Sequence, residues 1–447
     1  MKNSLNILLL AAGLSFVSLH AGAQKIMTIE ECIEAARKGN IWAKNAQNDI
    51  LMAKEQKKFI HSKYYPMVSA SFTHFEASKS LINYQIFDKE TIDNFNAEME
   101  SDFTVGDFTL SFVKKASSAG LTFIEPVYTG GRLTNFNKLA DLQVNARNMM
   151  SEVTDDQIVM GTEFLYYKIW ELHETDKSLD AMEKELNFIH QDAFNYYDNG
   201  IVNKNDVLSV ELMLDQLSAL RIRANNDCRL LRRALAKFMG MADEDIDVDT
   251  TLNTEVIDPQ QLRVDSHRAM EGRTETQLLD IWVEKAALEK KIAKANMLPI
   301  VAVGGRYGYS KVLNGWEPRA IAFVGVQMPL SYFWSEKHEY KRKEIEMQKA
   351  IDMRQDNRET MTLQIQDAYD NLESTYKQVQ IAEKSIVRAE ENLRISRENY
   401  KQGMSTMTSL LDAQRQQQQA LVQKNTALSE YLQAKTRYLI ATGRRTY

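Results

Sequence analysis

Cysteine and proline are scarce in this chain, which has two cysteines and six prolines among 447 residues. Two cysteines cannot supply the disulfide framework of a small extracellular domain, so we expect Cys32 and Cys228 to be buried thiols in helix packing. So few prolines, together with only 18 glycines, leave room for very long helices. Long apolar runs are missing after residue 23, which argues against a transmembrane helix in that part of the sequence.

An excess of charge of one sign is missing too. The 55 basic and 61 acidic residues are interspersed, and a net charge of -6 argues against nucleic acid as a partner. The seven histidines are scattered without a metal-ligand spacing, and no phosphate-binding or dinucleotide-binding motif is present. No constellation of acid, base and nucleophile is visible. The sequence therefore predicts no catalytic residue, no cofactor and no metal site, and an enzyme is the weakest interpretation.

The first 23 residues have the pattern of an export signal. Lys2 supplies a positive charge, residues 5–19 are mostly apolar, and residues 21–23 (AGA) form a small-x-small cleavage site. The apolar segment is shorter than the roughly 20 residues that a spanning helix needs. We therefore predict a signal peptide over residues 1–23.

The rest of the chain is a duplication. Residues of the first half recur at constant offsets in the second half, in these pairs: Tyr197 and Tyr400, Gly200 and Gly403, Gly240 and Gly443, Pro126 and Pro329, Gly39 and Gly272, Pro66 and Pro299. The offset changes between the prolines because the first copy carries an insertion of about 30 residues there, which we expect to extend its β-hairpin or the loop at the hairpin tip. A duplicated unit indicates a pseudo-symmetric architecture. We predict a first repeat over residues 24–243 and a second over 244–447.

Each repeat is predicted to contain a helix, a β-hairpin and a long helical hairpin. The predicted ranges are about 28–64 and 259–297 for the first helices, 66–126 and 299–329 for the β-hairpins, and 132–240 and 335–443 for the helical hairpins. No helix-breaking residue interrupts the stretch before Gly200, so its helix is expected to be on the order of 100 Å long. The polar, acidic residues 241–260 between the repeats are interpreted as a solvated connector.

The helical hairpins carry a seven-residue apolar repeat. The core positions are Leu165, Leu172, Leu179, Leu186 and Ala193, then Val210, Leu217, Ala224, Leu231 and Phe238, and in the second copy Ile365, Leu372, Val379, Ile386, Leu393 and Tyr400. A heptad kept over several turns predicts coiled-coil packing with a left-handed supercoil. Small residues in the same seam, such as Ala368 and Ala382, permit close approach of the helices.

The β-hairpins alternate between two kinds of side chain, which is the pattern of a strand between two environments. We expect Val68, Ala70, Phe72, Val301 and Val303 to face lipid, and Ser69, Ser71 and Thr73 to face a lumen. Four strands per chain cannot close a barrel, because barrels need about eight or more. Several chains are therefore expected to pool their strands, and three chains would supply twelve.

Five segments of the chain resemble the TolC-like outer membrane efflux protein family, both in their order along the sequence and in their occurrence in two copies. They are residues 28–40 (TIEECIEAARKGN), 125–132 (EPVYTGGR), 197–208 (YDNGIVNKNDVL), 400–413 (YKQGMSTMTSLLDA) and 441–443 (ATG). The resemblance implies a mainly α fold with a membrane β-barrel: a homotrimer whose 12-stranded barrel in outer-membrane lipid continues into a periplasmic α-barrel. It implies an outer-membrane channel of a tripartite efflux or type I secretion system, working with a periplasmic adaptor and an inner-membrane pump.

The resemblance also implies a periplasmic gate at the ends of the helical hairpins. Asp206 and Tyr400 match a family pair that links the two hairpins, so a hydrogen bond between them is expected, and Asp412 matches an acidic ring. Ser409 and Ser405 depart from the family pattern, where an aspartate and a latch arginine occur. The turns at Gly200 and Gly403 match the tips that contact adaptor and pump. The alternative is a periplasmic coiled-coil scaffold or adaptor without a pore, and the cargo stays open.

Overall fold

The computed structural model describes residues 25–85, 89–98, 109–112, 114–251, 255–311, 315–328, 330 and 332–444; the predicted signal peptide and Pro329 lie outside them. The helices are α1 (Ile29–Gly39), α2 (Ile41–His61), α3 (Lys89–Glu98), α4 (Arg132–Asp198), α5 (Lys204–Phe238), α6 (Pro259–Leu262), α7 (Ser266–Glu271), α8 (Thr274–Ala295), α9 (Tyr332–Lys401) and α10 (Met407–Ala441). The strands are β1 (Lys25–Met27), β2 (Met67–Glu76), β3 (Ile82–Gln85), β4 (Thr109–Phe112), β5 (Lys115–Tyr128), β6 (Ile246–Val248), β7 (Ile300–Lys311) and β8 (Glu317–Gln327). Within the described ranges, each helix is either too short or too polar to span a lipid bilayer.

The chain divides into two compact units. The helical unit comprises the described residues of Met1–Leu51, Asn145–Ile281 and Asp352–Tyr447, and the sheet unit comprises the described residues of Met52–Val144 and Trp282–Ile351. In the helical unit the heptad prediction is confirmed, because most of its positions are buried, among them Leu179, Leu186, Leu217, Leu372 and Leu393. The long helices α4 and α9 therefore fold because apolar side chains recur along one stripe of each.

The first helix does not run unbroken over residues 28–64, as the sequence had predicted. Its capping box is formed, with Glu31 N donating to Thr28 Oγ1 at 3.3 Å and Thr28 N donating to Glu31 Oε2 at 3.0 Å. The chain leaves the helical conformation at Asn40, where ψ is 138°. The Asn40 side-chain amide donates to Phe238 O at 2.8 Å, and its oxygen accepts from Trp42 N at 2.7 Å. These two bonds of the Asn40 side chain stabilise the interruption between α1 and α2.

Two glycine pairs stand at equivalent places in the two repeats. A Cβ on Gly39 would lie 1.8 Å from Met239 O, and a Cβ on Gly240, whose φ is 76°, would lie 2.4 Å from Gly39 O. The second repeat brings Gly443 to Gly272 in the same way but more loosely, with the nearest atom, Gly272 O, 3.5 Å from the Cβ position of Gly443. The recurring glycines thus mark a place in each repeat where two backbone segments pass close to each other, and the contact is tighter in the first repeat.

The predicted helix over 259–297 is also divided, into α6, α7 and α8. Asp258 caps α6 by accepting from Gln260 N, and Asp265 caps α7 by accepting from Arg268 N at 2.9 Å. Arg263 and Asp265 have extended backbone conformations. A short aspartate side chain can accept a hydrogen bond from a nearby backbone N–H, and it then caps the start of a new helix. Two such caps divide this segment into three helices, although apolar periodicity alone predicts a single one.

The connector between the repeats is not wholly solvated, which corrects the interpretation of residues 241–260. Its strand β6 pairs with β1 in parallel, and Ile246 and Val248 are buried in the core of the helical unit. Asp247, between them, accepts from Arg232 Nη1 at 2.9 Å and contacts His173 Nε2 at 2.7 Å. The alternation of apolar and acidic residues fits a short strand with one face on the core.

The sheet unit contains a four-stranded antiparallel sheet in the order β2-β5-β7-β8, so the two hairpins lie side by side. Strand β5 continues through Pro126, where the sequence had predicted its end, and the register with β7 shifts between Pro126 and Tyr128. Proline lacks an N–H and is tolerated in a strand where the ladder is irregular. The insertion forms a separate antiparallel pair, β3 and β4, and helix α3.

The register gives the sheet two faces, because paired residues lie on the same side. We call one the apolar face; it carries Val68, Ala70, Phe72, Leu121, Phe123, Val301, Val303, Tyr307, Tyr309, Val324 and Val326. The opposite side, called the polar face, carries Ser69, Ser71, Thr73, Ser118, Gly120, Thr122, Arg306, Gly308, Ser310 and Arg319 along its central rows. The expected grouping of Val68, Ala70, Phe72, Val301 and Val303 on one face is confirmed.

Candidate functional site

The two predicted tips are turns of the same geometry. At the first, Gly200 has φ 72°, Gly200 N donates to Tyr197 O and Ile201 N donates to Tyr196 O. At the second, Gly403 has φ 73°, with bonds from Gly403 N to Tyr400 O and from Met404 N to Asn399 O. This αL closure of a helix end favours glycine. A Cβ on either glycine would meet nothing within 4 Å, so both turns are open to a partner.

The two helical hairpins share one apolar core behind these turns. Helices α4 and α5 contribute nine buried residues, and α9 and α10 contribute five: Leu179, Met182, Leu186, Ile189, Ala193, Val207, Val210, Met213 and Leu217, with Leu393, Met407, Leu410, Leu411 and Ala413. We call this cluster the tip core. Because all four helices bury side chains in it, the hairpins cannot separate here without exposing apolar surface.

Tyr400 packs against the tip core, and its ring is tilted against that of Tyr196 with centroids 6.5 Å apart. Its buried hydroxyl makes no hydrogen bond to any residue in the described ranges, so the expected bond to Asp206 is not formed. Burial raises the pKa of Tyr400 to about 12, and the charge of Asp206 adds to the effect. Asp206 instead lies in the first turn of α5, where a helix N-terminus favours a carboxylate.

Asp412 lies in α10 and is half exposed, as expected for a residue that faces water. It forms an ion pair with Arg415, at 3.0 Å from Asp412 Oδ1 to Arg415 Nη2. Arg415 was not among the residues expected at this site, although its i,i+3 spacing from Asp412 on a helix would have indicated the pair. A charge partner so close weakens the field that Asp412 would otherwise present.

The two predicted serine departures lie at the second turn. Thr406, the residue before α10, accepts from Ser409 N at 3.3 Å, so Ser409 belongs to the cap of that helix. The Ser405 hydroxyl is buried without a hydrogen-bond partner in the described chain. Neither side chain carries a charge, so neither can take the place of the aspartate or the arginine that the family pattern has there.

An ion pair that the sequence did not indicate joins the two hairpins beside Tyr400. Arg397 of α9 pairs with Glu185 of α4, and both line a cavity of about 400 Å³ together with Lys184, Asp192 and Lys401. Residues so distant in sequence give no periodic pattern, which explains why the pair was missed. The site combines an apolar core, one crossing ion pair and open turns, so its chemistry is that of a contact surface.

Comparison with known proteins supports the fold. No curated protein sequence matches the chain. The Campylobacter jejuni CmeC outer membrane channel has a TM-score of 0.75 at 14% identity, covering 93% of this chain and 85% of that chain. The outer membrane protein VceC from Vibrio cholerae has a TM-score of 0.73 at 15% identity, with coverages of 93% and 96%. The Neisseria gonorrhoeae MtrE outer membrane channel, in its open state, has a TM-score of 0.73 at 14% identity, with coverages of 94% and 90%.

The described chain thus has the fold of outer membrane channels. Residues 277–444 match the family described as outer membrane efflux protein. This match confirms the resemblance to the TolC-like outer membrane efflux protein family that the sequence had indicated.

Proposed function

We propose that this protein is the outer-membrane channel component of a tripartite efflux system or a type I secretion system. It acts as a passive conduit, with energy supplied by an inner-membrane pump. The observation that carries the proposal is the four-stranded sheet: most rows of one face are apolar, with Glu125 beside Val303 as a charged exception within them, and each edge strand is paired on one side in the described chain. A sheet of this kind is suited to lipid only when its edges are paired.

Strands β2 and β8 are the two edges, and pairing them between copies would continue the sheet from chain to chain. Three copies give twelve strands, which is enough for a barrel with a lumen. In that assembly the apolar face contacts outer-membrane lipid and the polar face lines the lumen. The helical unit then lies in the periplasm, where the exposed turns at Gly200 and Gly403 meet the adaptor protein.

The proposed gate lies at the tip core, with Tyr400, Asp206 and Asp412 as its predicted residues. The shared core and the pair between Arg397 and Glu185 hold the hairpins together, and the unbonded Tyr400 hydroxyl is positioned to accept or donate a bond if the helices slide. Movement by small sliding keeps the apolar residues buried, whereas separation would expose them.

The test is fractionation and reconstitution of the full-length protein. We expect it in the outer-membrane fraction as a trimer that survives mild detergent and changes mobility on heating, and we expect ion conductance in planar bilayers. Native mass measurement checks the copy number. A monomeric protein recovered from the periplasm, with no conductance, would favour the coiled-coil scaffold instead.

Arg415→Gln is expected to increase the preference of the open channel for cations, by roughly twofold to tenfold in permeability ratio, because Asp412 loses its neutralising partner. Asp412→Asn should act in the opposite direction. Arg437→Gln is the matched control, since Arg437 lies on the same helix, is similarly exposed and pairs with Asp367. The reversal potential in a salt gradient measures all three, and equal values for Arg415→Gln and Arg437→Gln would remove Asp412 from the permeation path.

A further inference from the structure

The polar face of the sheet has an unbalanced positive charge. Its charged residues along the paired strands are Arg306, Arg319 and Glu317. Arg319 has a carboxylate partner, since its Nη2 lies 3.7 Å from Glu317 Oε2. Arg306 Nη2 donates to the Ser118 hydroxyl at 3.2 Å, and no ion pair joins it to a carboxylate in the described residues. One cation per chain is therefore left without a compensating anion on this face.

The register places Arg306 between a polar and an apolar part of the same face. Its own row across the sheet is Ser69, Thr122, Arg306 and Ile321, and the row on one side is Ser71, Gly120, Gly308 and Arg319. The row on the other side is Met67, Ile124, Gly304 and Phe323, which we call the apolar row. Ile321 and Phe323 keep 57% and 40% of their surface exposed, so they are accessible to a ligand.

The glycines on this face leave room above the strands. Ser118 is paired with Ser310, beyond the row of Gly120 and Gly308, so the Arg306 side chain extends across that glycine row to reach the hydroxyl. The Phe323 ring lies over Gly304, where a Cβ would be 2.5 Å from a ring atom. The face therefore presents an extended guanidinium on one side of Ile321 and a flat aromatic surface on the other.

We propose that this face selects amphipathic anions as cargo, with Arg306 binding the anionic group and Ile321 and Phe323 contacting the apolar body. The proposal rests on the conduit function, because it takes the polar face to line the lumen. A guanidinium forms paired hydrogen bonds to a carboxylate or sulfonate, and an aromatic ring stacks on a flat apolar group. In three copies, the Arg306 side chains form a ring of positive charge, which favours anions in a pore.

The experiment is a bilayer measurement with matched charge variants. Arg306→Gln is expected to lower the ratio of anion to cation permeability by roughly twofold to tenfold, because the ring of charge is removed. Lys311→Gln is the control: Lys311 lies on the same strand and carries the same charge, but it points to the apolar side. Arg306→Lys should keep the small-ion selectivity of the wild type, since it retains the charge.

Naphthoate and acetate then separate the two parts of the proposed site. Naphthoate is expected to block the wild-type current at lower concentration than acetate, and Arg306→Gln should weaken that block severalfold. Phe323→Ser should weaken the naphthoate block while the small-ion selectivity stays unchanged. Heat-modifiable trimer in the membrane fraction verifies that each variant folds.

The outcomes are distinguishable. A conducting wild type with the same selectivity and the same naphthoate block in Arg306→Gln as in Lys311→Gln would overturn the inference and leave the conduit function standing. Equal block by naphthoate and acetate would overturn the amphipathic part. A wild type that forms no channel would overturn the conduit function and the inference together.

Discussion

Gly39→Ala is expected to prevent stable folding of the helical unit. The added methyl group would lie 1.8 Å from Met239 O and 2.8 Å from Met239 C, and both atoms belong to backbone that cannot move alone. Relief requires α1 to shift away from the end of α5, which breaks the bond from Asn40 to Phe238 O. Overpacking that displaces backbone costs on the order of 3 kcal/mol or more. Circular dichroism during thermal unfolding, and the yield of folded protein, measure the effect.

The duplication supplies a control for this substitution. Gly272 holds the equivalent place in the second repeat, yet a Cβ there would be 3.6 Å from its nearest neighbour, Ala269 O, which is ordinary contact. Gly272→Ala should therefore change the unfolding temperature by only a few degrees in either direction. If the two variants unfold alike, the backbone contact between Gly39 and Met239 is loose enough to accept a methyl group.

Asp247→Asn is expected to destabilise the helical unit by about 3–5 kcal/mol, the usual cost of removing one partner from a buried ion pair. The carboxylate binds His173 Nε2 at 2.7 Å and Arg232 Nη1 at 2.9 Å, and all three side chains are largely covered. Without it, Arg232 is left without this carboxylate in a partly buried position, and His173 loses the bond that favours its charged form. Denaturant unfolding measures the loss. Glu211→Gln breaks the exposed pair with His190 and should have a much smaller effect.

The same cluster predicts a dependence of stability on pH. The hydrogen bond from His173 to Asp247 raises the pKa of His173 from 6.5 to about 10, so its stabilisation is complete below pH 6.5 and is lost as the pH rises through about 10. Burial is the largest single effect on Asp247 and raises its pKa, but the bond from His173, the bond from Val248 N and the charges of His173 and Arg232 together hold that pKa below 3.8. That contribution is present above pH 3.8 and is lost as the pH falls. Asp247→Asn should therefore remove both the loss of stability at high pH and the loss of stability at low pH that this cluster causes.

Periodicity predicted the parts of the fold that depend on a regular pattern. The seven-residue steps located the core of the helical hairpins, and the alternation in β2 and β7 grouped Val68 with Val301 on one face. The interruption at Asn40 was not predictable, because it depends on a bond to Phe238 O in a helix almost two hundred residues later. Propensity describes local preference, and here a tertiary bond overrides it.

The candidate site divides in the same manner. The turns at Gly200 and Gly403 follow from glycine and its left-handed conformation, which is a local property. The partners of the proposed gate residues are a matter of packing: Tyr400 lies against the tip core without a hydrogen bond from its hydroxyl to the described residues, and Asp412 pairs with Arg415. A match to a family pattern identifies which residues occupy the site, but it does not reveal which hydrogen bonds and ion pairs those residues form in this chain.

The open edges β2 and β8 bear on how the proposed barrel would reach lipid. A single chain that entered a bilayer would carry two rows of unsatisfied backbone groups into hydrocarbon, each costing several kcal/mol. Insertion as a monomer followed by association is therefore the unfavourable order of events. Chains that meet before or during insertion avoid the penalty, so the rate of assembly should rise steeply with chain concentration. Dilution would then strand the protein outside the membrane, with its long edges exposed to pairing with the wrong partner.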